Sequence, residues 1–193
     1  MRVLVACEES QRVCVAFREK GHEAYSCDIL PCSGGHPEWH IQGDVLPLIN
    51  GRCEFQTMDG ERHSIDGKWD LLIAFPPCTF MTKAGARWMF PKGKLNTERY
   101  KKAMQAKAFF MSVWQADCER VVIENPTPLK CVELPRATQS VQPFLYDEFD
   151  EHPYSKKTCC GSAGICRSLR RPHRITSRAA HGFRLIRENT QVA

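Results

Sequence analysis

The sequence predicts an α/β domain with a mainly parallel sheet and helices on both faces. Three observations carry this prediction. Short apolar runs recur at residues 2–6, 23–27, 69–75 and 119–123, as expected of strands buried on both sides. Helical patterns at residues 9–20 and 96–116 alternate with those runs, which is the order that builds parallel pairs. The length, 193 residues, is that of one domain of about 100–200 residues.

The elements follow in order. Arg2-Val-Leu-Val-Ala6 is the first strand. Residues 9–20 place Val13, Ala16 and Phe17 on one helical face, and Gly21 supplies a stop. Residues 23–27 form a second strand ending at Asp28, followed by a turn-rich loop through Pro31, Gly34, Gly35 and Pro37. Residues 41–44 read as a short strand end and 45–50 as a brief helix. In 53–65, Asp59-Gly60 lies between two strand-like runs, a hairpin signal and a surface excursion. Residues 69–75 are the clearest buried strand. They run into Pro76-Pro77-Cys78, where the prolines stop both helix and ladder. Asn96 or Thr97 caps the long helix, with Ala103, Phe110 and Trp114 on its apolar side. The last strand, 119–123, ends at Glu124-Asn125-Pro126.

Charge is unevenly distributed. The chain carries a net +5, yet 18 Lys+Arg against 21 Asp+Glu precede Pro153, and nine against one follow. This is a mildly acidic body, 1–158, with a basic and poorly patterned tail, 159–193, and not a uniformly basic protein. The tail has two readings: an arm that binds nucleic acid nonspecifically, or a divergent C-terminus with no evolved role. No apolar run approaches the roughly 20 residues a membrane helix needs. No secretory signal is legible at Met1, so the expectation is a cytoplasmic protein. The eleven cysteines are odd in number, which favours reduced thiols over a disulfide framework. Cys27, Cys32, His36 and His40 are the nearest approach to a zinc pattern, but no Cys-x-x-Cys pair occurs and the segment is glycine- and proline-rich. The expectation is therefore no metal.

In a parallel α/β sheet the ligand site lies at the carboxyl ends of the strands. Cys7-Glu8, Asp28, Cys78 and Glu124 occupy such ends. A thiol held beyond a buried strand by two prolines can act as a nucleophile, although most free cysteines are small buried hydrophobes. A carboxyl at the end of an apolar strand is partly desolvated and suited to proton donation, although capping is its commoner use.

Pro-Pro-Cys after one buried strand and Glu-Asn-Pro after the next, 46 residues on with a long helix between, resemble the cytosine-C5 methyltransferase family. The resemblance covers residues 1–126, and this chain looks like a compact, divergent member of the kind found in phages and prophages. It implies a Rossmann-like S-adenosylmethionine-dependent methyltransferase fold, with DNA as the partner. Cys78 is then the nucleophile and Glu124 the residue at the base's N3, with Pro77 and Asn125 beside them at the substrate. Cys7 and Glu8 fall in the first cofactor loop, Asp28 where the family holds the ribose, and Asp44 near the adenine. Lys83 and Arg87, in a segment that can close over a substrate, can meet phosphate, or else serve as solvated charges on an amphipathic cover. The sequence also departs from the family. The first loop reads Ala6-Cys-Glu-Glu-Ser-Gln11, without glycine, and Pro126 stands where the family has Val. The 67 residues after Pro126 are fewer than the usual recognition domain, and Arg136, Gln139 and Gln142 only loosely match the Gln-x-Arg-x-Arg motif. The alternatives are a catalytically impaired nucleic-acid- or nucleotide-binding module, or a methylase of a free nucleotide or an RNA base.

Overall fold

A computed structural model describes residues 1–141 and 158–164. Its strands are β1 (Arg2–Ala6), β2 (Glu23–Asp28), β3 (His40–Gln42), β4 (Cys53–Gln56), β5 (Arg62–Ile65), β6 (Leu71–Ala74), β7 (Arg120–Pro126), β8 (Gln139–Val141) and β9 (Thr158–Gly164). Its helices are α1 (Arg12–Arg18), α2 (Ala86–Met89) and α3 (Thr97–Trp114).

The main sheet runs β3-β2-β1-β6-β7-β9-β8, and β4-β5 form a separate hairpin. The first five strands of the main sheet are mutually parallel. β9 is antiparallel to β7, and β8 is antiparallel to β9. The chain builds outward from β1 in one direction and then, from β6, in the other. The boundary between β1 and β6 is thus a switch point, the place where open parallel sheets commonly receive a ligand.

Alternate residues of β1 and β6 serve two cores. Val3, Val5, Leu71 and Ile73 pack with Cys14, Val13 and Phe17 of α1. Leu4, Ala6, Leu72 and Ala74 face Ala103, Phe110 and Val113 of α3. Helices therefore cover both faces, as the near-continuous apolar strands require. The hairpin is part of this core and no mere excursion: Phe55 and Ile65 are buried, and Phe55 meets the Tyr25 ring edge-on at 5.0 Å.

Several boundaries differ from expectation. α1 starts at Arg12, because Cys7 and Gln11 are left-handed (φ 59° and 57°) and break any helix before it. Residues 45–50 form hydrogen-bonded turns, not a helix; Leu48 N–H donates to Val45 O, and Pro47 has no amide to offer. α3 matches its predicted extent closely, with the Asn96 side chain accepting from Arg99 N–H. The 158/159 boundary falls inside β9, which pairs with β7 along its whole length, so the sheet extends past it. The segment 165–193 lies outside the described residues. Among the described residues no helix is long and apolar enough to cross a membrane.

Gly51 (φ 66°) joins the turns to β4, and a Cβ there would lie 2.2 Å from the Gly67 carbonyl oxygen. That oxygen also accepts from Arg52 N–H at 2.8 Å, which holds the backbone in place. Gly51→Ala should therefore lower the unfolding free energy by about 2 kcal/mol or more, read by urea denaturation. A cost below the experimental error would contradict this packing.

Candidate active site

The parallel register draws the strand ends into one line. Ala6 pairs with Cys27 and with Ala74, Cys27 with Ile41, and Ala74 with Ile123. One residue further along each strand stand Cys7, Asp28, Phe75 and Glu124. Cys7 and Asp28, at the ends of β1 and β2, thus stand level with Glu124, which lies within β7 and not beyond it, because β9 pairs with β7 as far as Pro126; Cys78 follows three residues after Phe75.

On the β1–β3 side the ends converge. The amides of Cys7 and Glu8 both donate to Cys27 O, at 2.7 and 3.3 Å, and Gly43 N–H donates to Asp28 O at 2.8 Å. Burial first, and then the charges of Asp28 and Asp44, push the Cys7 thiol up to about 12. Cys27 is likewise pushed up to about 12 by burial, then by Cys7, Asp28 and Asp44. Two carboxylates therefore bear on the same two thiols. Asp28 is half-buried and Asp44 exposed; each accepts from a backbone amide two residues on, Leu30 N–H and Leu46 N–H, both at 3.0 Å. Ile29 and Leu30 lie exposed beyond Asp28, an apolar rim next to an acidic edge.

Glu8 does not join that edge. Its Oε1 accepts from Val13 N–H at 2.6 Å and its Oε2 from Cys14 N–H at 3.1 Å. Both oxygens cap α1, whose own N-cap residue, Gln11, makes no side-chain cap. Burial raises the Glu8 pKa, and the two amides pull it back. Glu8, expected in the first cofactor loop, gives both its oxygens to the α1 cap: helix α1 needs a carboxylate at its first turn, and Glu8 supplies it.

Gln11, Ser26 and Arg99 carry no role in the sequence reading and His40 enters it only in the zinc-like pattern; the structure gives each a positioning role. Gln11 is fully buried. It donates to His36 O at 2.8 Å and to Ser26 Oγ at 3.3 Å, and it accepts from His36 N–H at 3.1 Å. His40, also fully buried, bonds Ser26 Oγ at 2.8 Å and Leu30 O at 3.0 Å through its two ring nitrogens. These bonds tie the loops after β1 and β2 together. Gly34 makes the approach possible, since a Cβ there would lie 2.6 Å from the Gln11 Cβ. Polar residues inside otherwise apolar strands were the sequence signal for Ser26 and His40.

The Cys27–His40 segment does not gather as a metal site. His36 stacks on Trp39 with ring centroids 4.1 Å apart and bonds Glu38, while the Cys27 thiol donates to Gly43 O. Among the described residues no group of three or more His, Cys, Asp or Glu could hold a metal ion.

On the β6–β7 side, Pro77 is exposed, and Cys78 and Glu124 are half-buried. Two loops knit this side together. Thr82 bridges to Pro128, Lys83 N–H donates to Thr127 O at 3.0 Å, and Leu129 N–H donates to Met81 O at 2.7 Å. The segment just after Cys78 is thereby fastened to the segment just after Glu124. Arg99 of α3 braces the same loop, donating to Thr79 O at 2.9 Å. Asn125 is buried on the α3 face, and its side-chain oxygen has no hydrogen-bond partner among the described residues. Lys83 and Arg87 are both exposed, and Arg87 lies over the Trp88 ring.

No family model and no curated protein matches this chain.

Cys14 and Cys27 are fully buried, and burial pushes both up to about 12 from a usual 9. Above pH 9 the unfolded chain releases thiol protons that the folded chain keeps. Their contribution is therefore complete below pH 9 and is lost as pH rises toward 12. Urea unfolding between pH 8 and pH 11 should show stability falling, by at most about 1.4 kcal/mol per thiol per pH unit. Cys14→Ala should flatten the decline, and an unchanged slope would exclude the Cys14 thiol as a source.

Proposed function

We propose that the protein is an S-adenosylmethionine-dependent methyltransferase of Rossmann-like fold that methylates cytosine at C5. The observation that carries the reading is the shared edge. One register line sets Cys7 and Asp28 level with Glu124 of β7 across the switch point, and Cys78 follows the end of β6 by four residues, which supports a site along this edge. Strand order, parallel pairing and helices on both faces support the fold.

The residues at that edge suit the cofactor. Asp28 stands at the end of β2, where a carboxylate can accept from ribose hydroxyls. Ile29 and Leu30 offer an apolar rim to a purine, with Asp44 within electrostatic reach of the same thiols as Asp28. The first loop reaches a left-handed backbone at Cys7 and Gln11 without glycine, at a cost of about 1–3 kcal/mol each. These residues fit the cofactor, and when bound it supplies an electrophilic methyl group.

The chain's own residues supply the remaining steps. A cytosine swung out of its stack enters the site along this edge. The Cys78 thiolate adds to C6, and the C5–C6 electron pair moves to C5. Glu124 hydrogen-bonds or protonates N3, which stabilises the electron-rich ring. After C5 takes the methyl group, a base removes the C5 proton, the electron pair re-forms the double bond, and the Cys78 sulfur leaves C6. Fastening 81–83 to 127–129 ties the loop that carries the thiol to the end of the strand that carries the carboxyl. Pro77 and Asn125 border the same base, and Lys83 is placed to meet phosphate.

Calorimetry with S-adenosylmethionine should show binding to the wild type and at least about tenfold weaker binding to Asp28→Ala, the loss of a charged hydrogen bond. Glu8→Gln should keep cofactor affinity while lowering stability. No heat of binding at millimolar cofactor would remove the main support for the reading.

With cofactor and DNA containing 5-fluorocytosine, which has no C5 proton to lose, wild type should accumulate a covalent adduct on denaturing gels. Cys78→Ser should form none, and an adduct that survives in that variant would overturn the nucleophile assignment.

A further inference from the structure

A groove of about 350 Å³ lies between residues 80–91 and the start of α3, beside the Cys78 loop. Its rings are Phe80 and Trp88, and Trp88 is 50% exposed. Three cations converge on these rings. The Arg87 guanidinium carbon is 3.8 Å from the Trp88 centroid, that of Arg99 is 4.9 Å from the Phe80 centroid, and Lys102 Nζ is 5.6 Å from Phe80. Glu98 also lines the groove, but its carboxylate is paired with Lys101 at 2.9 Å. The groove is therefore aromatic with a positive excess.

We propose that this groove holds one unpaired nucleotide of a single-stranded nucleic acid, next to the reacting base, and so selects strands over duplexes. The proposal rests on the reading of Cys78 as the place of the reacting base. Phe80 follows Cys78 by two residues, at most about 7 Å along the chain, and Arg99 fixes the intervening Thr79 carbonyl. A neighbouring nucleotide is thus within reach of the wall. An exposed ring such as Trp88, beside the half-buried Phe80 and flanked by Arg and Lys, is the combination that takes up unstacked bases, the ring by stacking and the cations at the phosphate. A base inside a duplex is already stacked and cannot lie against Trp88. Gly85 leaves room for the arrangement, since a Cβ there would lie 2.7 Å from Arg99 Nη2.

The test is fluorescence anisotropy with a labelled cytosine-containing oligodeoxynucleotide, the RNA of the same sequence, and the DNA duplex. Wild type should bind a single strand more tightly than the duplex, and whichever single strand binds better names the substrate as DNA or RNA. Trp88→Ala should weaken single-strand binding about tenfold or more. Lys102→Gln should weaken it and reduce the salt slope by about 0.7, one phosphate contact. Both variants should keep the wild-type melting temperature and cofactor affinity. Wild-type affinity in both variants, or duplex binding as tight as single-strand binding, would overturn the proposal. Cys78→Ser should bind strands normally, so loss of the fluorocytosine adduct and loss of groove binding are separate outcomes. Strand binding through Trp88 without any adduct in wild type would uphold the groove and reject the transfer chemistry.

Discussion

Parallel pairing of β1 with both β2 and β6 is the constraint on which the rest of the structure depends. A parallel strand cannot turn back through a short hairpin, so every connection crosses a face and every carboxyl end opens on the same edge. β1 is almost wholly buried, with Val3, Leu4, Val5 and Ala6 at 0% exposure, so its two neighbours are held in register by core packing as well as by the ladder. One register line then places Cys7, Asp28, Phe75 and Glu124 abreast. The convergence of polar groups at that edge is a consequence of pairing geometry, before any side chain is chosen.

The glycine-free first loop shows how one local solution can replace another. A glycine-rich turn lets the backbone go left-handed at little cost. Here Cys7 and Gln11 do so with side chains, and the surroundings hold them. The Cys7 amide bonds to Cys27, Gln11 is locked between Ser26 and His36, and Glu8 supplies the cap that Gln11 does not. The missing space reappears in the facing loop, at Gly34. A buried polar network of this kind is rigid only when its members are satisfied, and here Gln11, Ser26 and His40 are.

The two halves of the edge differ in chemistry. The β1–β3 ends are acidic and tight, and burial, with the nearby carboxylates adding to it, keeps the Cys7 and Cys27 thiols protonated. The β6–β7 ends are looser in sequence but stapled by backbone bonds between 81–83 and 127–129, with Arg99 as a brace from α3. The aromatic and cationic groove continues from that braced loop.

The sequence by itself determined the five parallel strands in outline, their apolar two-sided character, the long helix with a cap at Asn96 or Thr97, and the placement of Cys7 and Asp28 at strand ends; it stopped the last of these strands before Glu124, whereas β7 runs on to Pro126 because β9 pairs with it. Those features are local: hydrophobic period, proline and cap chemistry act within a few residues. Only the tertiary structure decided that Glu8 caps a helix, that residues 45–50 are turns, that the hairpin belongs to the core and that β9 completes the sheet beside β7. It also decided that Arg99 and Gln11, ordinary residues in the sequence, hold the loops. Each of these depends on contacts between residues far apart in the chain. Whether a carboxylate meets a ligand or an amide is settled by which backbone groups the fold leaves unpaired beside it.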